Sequence, residues 1–224
     1  MNYQGVLFDL DNTLVDRAGA VVRIAHALYD AEPAIRANTP RDAAVDRIVD
    51  FDADGLGGGR KVLMERVQEE WPEIDRSGEE LVAWYGARYV TSLAEDALVQ
   101  ALVAGLSRAG MPWGIVTNGP SSQLDKVQVL GLEARPMCVV VSEELGYTKP
   151  APEIFHEALR RLGLVAGRHV LFVGDNPDAD IAGAHAVGMS TAWARRRRVW
   201  PDRLQPPDHE VDHVSELAPY LKID

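Results

Sequence analysis

Short apolar runs that end in acidic, amide or hydroxyl residues recur along this chain. Gly5–Phe8 is the first and closes on Asp9-Leu10-Asp11-Asn12-Thr13, the pattern of a buried strand followed by a functional loop. From Asp16 to about Val90 the periodicity turns helical, broken by Pro33, Pro40, the Gly55–Gly59 cluster and Pro72. Helices with little strand are expected there.

After Ala97 the pattern alternates. Helices are predicted over Ala97–Ala109, Ser121–Leu130, Pro152–Leu162 and Asp178–Val187. Between them lie apolar strands at Trp113–Val116, Met137–Val141, His169–Val173 and Ser190–Ala194, before a polar, proline-containing tail. This alternation predicts an α/β fold, a doubly wound Rossmann-like parallel sheet covered on both faces. Gly5–Phe8 joins that sheet only if the helical stretch is an insertion. The expected organisation is a catalytic core of residues 1–15 and 91–224, interrupted by an α-helical cap of residues 16–90.

Ligands of such sheets bind outside the carboxyl ends of the strands. The segments there are Asp9–Thr13, Thr117-Asn118-Gly119, Ser142-Glu143-Glu144 and Gly174-Asp175-Asn176. Three of the four carry groups suited to metal or phosphate. Phosphate esters resist attack because nucleophile, phosphoryl group and leaving oxygen are all electron-rich. A site must therefore supply a nucleophile, a proton donor and positive charge. Asp9 is placed to attack, and Asp11 to protonate the leaving oxygen and then activate water. Asp9 and Asp175 suit Mg2+, which prefers one or two carboxylates. Thr117 and Asn118 offer phosphate donors, and Lys149 a point charge.

Phe8-Asp9-Leu10-Asp11-Asn12-Thr13-Leu14 resembles the first motif, DxDxT, of the haloacid dehalogenase-like superfamily. Thr117-Asn118 resembles its second motif, Lys149-Pro150 its third, and Gly174-Asp175-Asn176-Pro177-Asp178-Ala179-Asp180 its fourth, GDxxxxD. The resemblance implies Asp9 as nucleophile and Asp11 as acid/base, with the main-chain carbonyl of Asp11 on the metal. It also implies Asp175 as metal ligand, with Asp180 and Thr13 in support. The insert then resembles the helical cap of the phosphatase subgroup that closes over small substrates. The expected activity is Mg-dependent hydrolysis of a small phosphorylated metabolite through an aspartyl-phosphate. The Asn12 variant and cap size resemble phosphatases of nucleotides, acylated sugar acids or glycolytic-type metabolites. Arg60, Lys61, Trp84 and Arg88 are cap candidates for specificity. A sugar phosphomutase of the same fold would use the same residues, and a regulatory module on the fold is the non-catalytic alternative. The family's dehalogenases lack the second acidic residue, so Asp11 counts against that chemistry.

Two further patterns imitate metal sites. Asp50-Phe51-Asp52-Ala53-Asp54-Gly55 opens like a calcium loop, but its twelfth position is Lys61 where a bidentate glutamate belongs. His209-Glu210-Val211-Asp212-His213 spells a zinc-protease signature, but it follows Pro206-Pro207 and predicts a short strand or turn rather than the required helix. The basic run Arg195–Arg198, between Trp193 and Trp200, reads as a solvated loop or a guide for anions.

The 224 residues carry a formal net charge of −11, which argues against a broad nucleic-acid surface. No stretch has the length to span a membrane, and the acidic N-terminal segment is not a signal peptide. Cytoplasmic residence is expected, with neither nucleic-acid polymer nor membrane as partner. The single cysteine, Cys138, sits in an apolar run and predicts a buried, inert thiol.

Overall fold

The computed structural model describes residues 2–55, 57–132 and 136–223. They form two compact units, one of residues 1–15 and 95–224 and one of residues 16–94. The chain opens with β1 (Gly5–Phe8) and then runs through five helices: α1 (Arg17–Ala31), α2 (Pro33–Asn38), α3 (Arg41–Asp52), α4 (Gly59–Glu70) and α5 (Gly78–Tyr89). It returns through α6 (Ala97–Arg108), β2 (Trp113–Thr117), α7 (Gln123–Val129), β3 (Cys138–Val141), α8 (Ser142–Leu145) and α9 (Pro152–Leu162). Then follow β4 (Val170–Gly174), a π-turn at Pro177–Ala182, α10 (Gly183–Ala186), β5 (Ser190–Ala194), β6 (His209–Val211) and α11 (Ala218–Leu221).

The six strands form one parallel sheet in the order β3-β2-β1-β4-β5-β6. Every residue of β1, β2, β4 and β5 is buried, as a parallel sheet requires when both faces are covered. This is why the strands read as unbroken apolar runs. Helix α9 shows the complementary pattern: Ile154, Phe155, Ala158, Leu159 and Leu162 form its buried stripe, in one cluster with Leu7, Val116, Val140 and Phe172. Phe155 meets Phe172 edge-on at 5.0 Å, and truncating such a side chain costs about 3–5 kcal/mol. The strand order reverses beside β1, between connections leading one way to β2 and β3 and the other way to β4 and β5. That switch point is where a doubly wound sheet opens a crevice.

The inserted unit has its own core, including Ile24, Leu28, Ile48, Met64, Val67, Trp71 and Leu81, the mark of a separate domain. Its helix starts are set by local chemistry. Asp16 accepts from Gly19 N–H at the start of α1, and Ser77 and Glu80 form a reciprocal capping box on α5. The calcium-like segment lies here. Asp50 and Asp52 belong to the last turns of α3, and Asp52 is bound at both oxygens by the Arg17 guanidinium, each at 2.7 Å.

One predicted helix changes in detail. The helix predicted over Asp178–Val187 is a π-turn followed by the short α10, because Asp180 is drawn inward towards β4. Gly174 permits this approach: a Cβ there would lie 2.5 Å from Asp180 Cβ. The short strand or turn expected over His209–His213 is the strand β6, paired in parallel with β5. His209 and His213 therefore share no helical face. His209 bonds the Tyr3 hydroxyl at 2.7 Å, and His213 bonds Asp96 at 3.0 Å.

Candidate active site

The ends of β1, β2 and β4, with the loop between α8 and α9 that carries Lys149, bring the four motifs together. Asp9 follows β1 directly, and its N–H donates to the Val173 carbonyl at 2.8 Å, fixing the start of the loop to the neighbouring strand. The loop then turns through Asn12 in the left-handed region, φ 61°, which asparagine tolerates better than most residues. Thr13 comes back to donate its hydroxyl to Asp9 Oδ2 at 3.2 Å.

Lys149 lies at the centre, with its side chain 2% exposed. Its ammonium has three neighbours for its three hydrogens: Asp9 Oδ1 at 2.6 Å, the Val116 carbonyl at 2.8 Å and Asp180 Oδ1 at 2.7 Å. Burial alone would lower the lysine pKa, but the Asp180 and Asp9 charges raise it further, so the amine stays charged. Asp9 experiences the reverse balance. Burial pushes its carboxyl well up; Lys149 pulls it down, while Asp180 and Asp175 push it up again.

Asp9, Asp175 and Asp180 each present a carboxylate oxygen, all within 4.8 Å of one another and all buried. Lys149 and Arg198, which reaches Asp175 Oδ2 at 3.0 Å, supply two positive charges against three buried carboxylates, and the remaining negative charge is what a divalent cation offsets. An all-oxygen donor set is also what Mg2+ prefers. The residues present fit that ion. Asp180 is fastened from behind, its Oδ2 accepting Asn176 N–H at 3.0 Å, while Asn176 caps the π-turn through Asp178 and Ala179 N–H.

Thr117 is buried at the end of β2. The Asn118 side chain is spent on Lys149, as described below, leaving its main chain for the site. Ser142 and Glu143, the strand-end segment without evident chemistry, brace the same loop through Gly119 and Ser121 N–H at 2.9 and 2.7 Å.

Four site residues escape sequence reasoning. Lys126 Nζ binds both oxygens of Asp11, at 2.7 and 2.6 Å, and Gln123 Nε2 donates to Asp11 Oδ2 at 2.9 Å. Trp193 Nε1 and Arg198 donate to the Asp175 carbonyl at 2.8 and 2.7 Å. Arg198 also reaches Asp175 Oδ2 at 3.0 Å. The basic run is thus no plain solvated loop: Arg196 bonds Asn12 Oδ1, and Arg195 pairs with Asp212. The only available signal was position, since Gln123 and Lys126 stand one turn apart just after a strand end.

A family model described as haloacid dehalogenase-like hydrolase matches residues 3–188. The chain belongs to that family.

Some relatives align with this haloacid dehalogenase-like hydrolase over nearly their whole length. It is 30% identical over 232 residues to the N-acetylmuramic acid 6-phosphate phosphatase of Pseudomonas aeruginosa, covering 99% of this chain and 96% of the other. It is 34% identical over 238 residues to the ribulose-1,5-bisphosphate 5-phosphatase of Halopiger xanaduensis, covering 95% and 97%. Among solved structures, a HAD phosphatase from Thermococcus onnurineus matches with a TM-score of 0.66 at 25% identity, over 99% of this chain and 98% of that one. A 2-haloacid dehalogenase from Pseudomonas syringae matches with 0.62 at 28% identity, over 98% of each. The protein is a hydrolase of the phosphatase type, with a Rossmann-like core, an inserted helical cap and a magnesium site. Among the described residues no single helix is long and apolar enough to cross a membrane.

Proposed function

We propose that this protein hydrolyses a small phosphate monoester through an aspartyl-phosphate on Asp9. The observation that carries the reading is the convergence of Asp9, Asp175 and Asp180 on one point beside the buried Lys149. In the first step an Asp9 oxygen attacks phosphorus, the ester P–O bond breaks, and Asp11 gives its proton to the departing alkoxide. In the second, Asp11 takes a proton from water, whose oxygen attacks phosphorus, releasing phosphate and the free carboxylate. The Thr117 hydroxyl and the Asn118 main-chain N–H are suited to hold phosphoryl oxygens. Lys149 adds fixed positive charge in a low-dielectric setting, where it acts strongly. Magnesium, held by Asp9, Asp175 and the Asp11 main-chain carbonyl with Asp180 in support, supplies neutralisation of phosphoryl charge when bound.

Substrates of the size of a sugar phosphate or a phosphorylated short acid fit this reading, as the names of the full-length relatives suggest. The helical insert, cast as a cap by the family, is proposed to choose among them. The test is phosphate release from a panel that includes N-acetylmuramic acid 6-phosphate, ribulose 1,5-bisphosphate and phosphoglycolate, with magnesium and with chelator. Turnover that needs magnesium and vanishes in Asp9→Asn is expected. Turnover that persists in Asp9→Asn rejects the nucleophile, and isomerised sugar phosphate without free phosphate indicates a mutase.

A further inference from the structure

Gln123 opens α7 and is almost wholly buried beside Thr117 and Asp11. Its carboxamide nitrogen has three acceptors in reach: Thr117 Oγ1 at 2.7 Å, Asp11 Oδ2 at 2.9 Å and the Asn118 carbonyl at 3.2 Å. The two ends of a carboxamide have nearly the same shape, so hydrogen-bond chemistry decides which one faces these groups. With the oxygen turned inward it would face the Asn118 carbonyl, which cannot donate, and the Asp11 oxygen that already accepts from Lys126. The nitrogen must therefore point in.

This fixes the hydrogen-bond polarity of Thr117. One lone pair of its hydroxyl is occupied by the Gln123 N–H, so the hydroxyl's own hydrogen has to find an acceptor elsewhere. The nearest internal one, the Asn118 carbonyl, is 3.5 Å away, at the limit of a useful bond. The hydrogen is thus left for an incoming anion. Asp11 does not need Gln123 for charge balance, because Lys126 already meets both of its oxygens.

We infer that Gln123 is a positioning residue for phosphate recognition: it holds the Thr117 hydroxyl as a donor for an incoming phosphoryl oxygen. The inference rests on the reading of Thr117 as a phosphate-binding group. If Gln123 were an acceptor, the Thr117 hydrogen would be consumed internally and the site would offer an anion a lone pair instead.

The experiment is a double-mutant cycle read by calorimetric binding of orthovanadate in magnesium buffer, using the full chain. Gln123→Met keeps the side-chain length and removes the donor. It is expected to weaken binding about tenfold, the worth of one good hydrogen bond, but less than about twofold in a Thr117→Val background. Equal losses in both backgrounds, or none in either, overturn the inference. Gln123→Glu, with the same shape but an acceptor in place of the donor, is the second probe should the Met variant misfold. It is expected to bind more weakly still beside Thr117, and an affinity matching that of the unaltered protein overturns the inference as well. Unchanged vanadate binding in Thr117→Val alone rejects the phosphate-site reading, and the inference with it. Circular dichroism and melting temperature separate these results from unfolding.

Discussion

Asn118 grips the backbone of Lys149 at both ends: its Nδ2 donates to the Lys149 carbonyl at 3.0 Å, and its Oδ1 accepts the Lys149 N–H at 2.8 Å. The ammonium of Lys149 is placed by this pair as much as by the carboxylates it meets. Asn118→Asp keeps the acceptor but turns the donor into a second acceptor facing a carbonyl. Loss of the one bond, with the carbonyl left facing another oxygen, is expected to cost about 1–3 kcal/mol and to lower kcat more than it raises KM. Thermal melting and steady-state kinetics of this variant check it. A fall in stability with unchanged kcat would confine the clamp to a structural role.

Magnesium should stabilise the folded chain, because the carboxylate trio exists only when it is folded. At a concentration about a hundred times the dissociation constant, the gain is about 2.7 kcal/mol, readable as a rise in melting temperature. Asp175→Asn removes one donor and is expected to abolish most of that rise. A full magnesium shift in this variant would move the binding site elsewhere.

Cys138 is buried, and burial pushes its thiol up to about 11, with the Arg161 charge opposing this and Glu157 adding to it. Because the thiolate is the reactive form, the native protein should resist a disulfide reagent at pH 8. Complete reaction is expected only in denaturant, on the order of a hundredfold faster. Absorbance of the released thiolate follows it. Comparable rates with and without denaturant would contradict the buried setting.

Asp96 caps α6 through Leu98 and Val99 N–H, at 2.8 and 3.2 Å, and bonds His213. Burial raises its carboxyl pKa, but the Val99 and Leu98 N–H groups and His213 lower it by more, so the net direction is downward. A depressed folded pKa contributes stability above the ordinary carboxylate value of about 3.9, which is lost as pH falls through the folded value. Asp96→Asn keeps the capping oxygen and deletes the charge. It should lower the melting temperature at pH 7 and make little difference once both forms are uncharged in strong acid. Parallel melting curves across the whole range would remove Asp96 from the acid response.

The sheet was legible because its strands are buried on both faces and read as apolar runs bounded by polar loops. Gly5–Phe8 and Ser190–Ala194 match the structure at both ends, as does helix Pro152–Leu162. The stretch after Asp175 was not legible in detail, since Pro177–Ala182 has helical composition. Its π-turn follows from the approach of Asp180 to Gly174, a tertiary contact. Asp9 and Asp175 could be named in advance from their place at strand ends, Lys149 and Asp180 from the ordered motifs of the family they resemble. Gln123, Lys126, Trp193 and Arg198 could not. Polar residues on a short helix ordinarily face water, and an arginine run ordinarily solvates a loop. Only the folded sheet shows that these reach into the interior.

The supports of Asp175 lie further along the chain than the segment matched by the family model. The matched segment stops at residue 188, whereas the indole and guanidinium that grasp the Asp175 carbonyl come from residues 193 and 198. A fragment trimmed to the matched segment would keep every motif residue yet lose β5, β6 and both outer anchors. The carboxyl-terminal portion is therefore part of what any minimal working version of this enzyme has to retain.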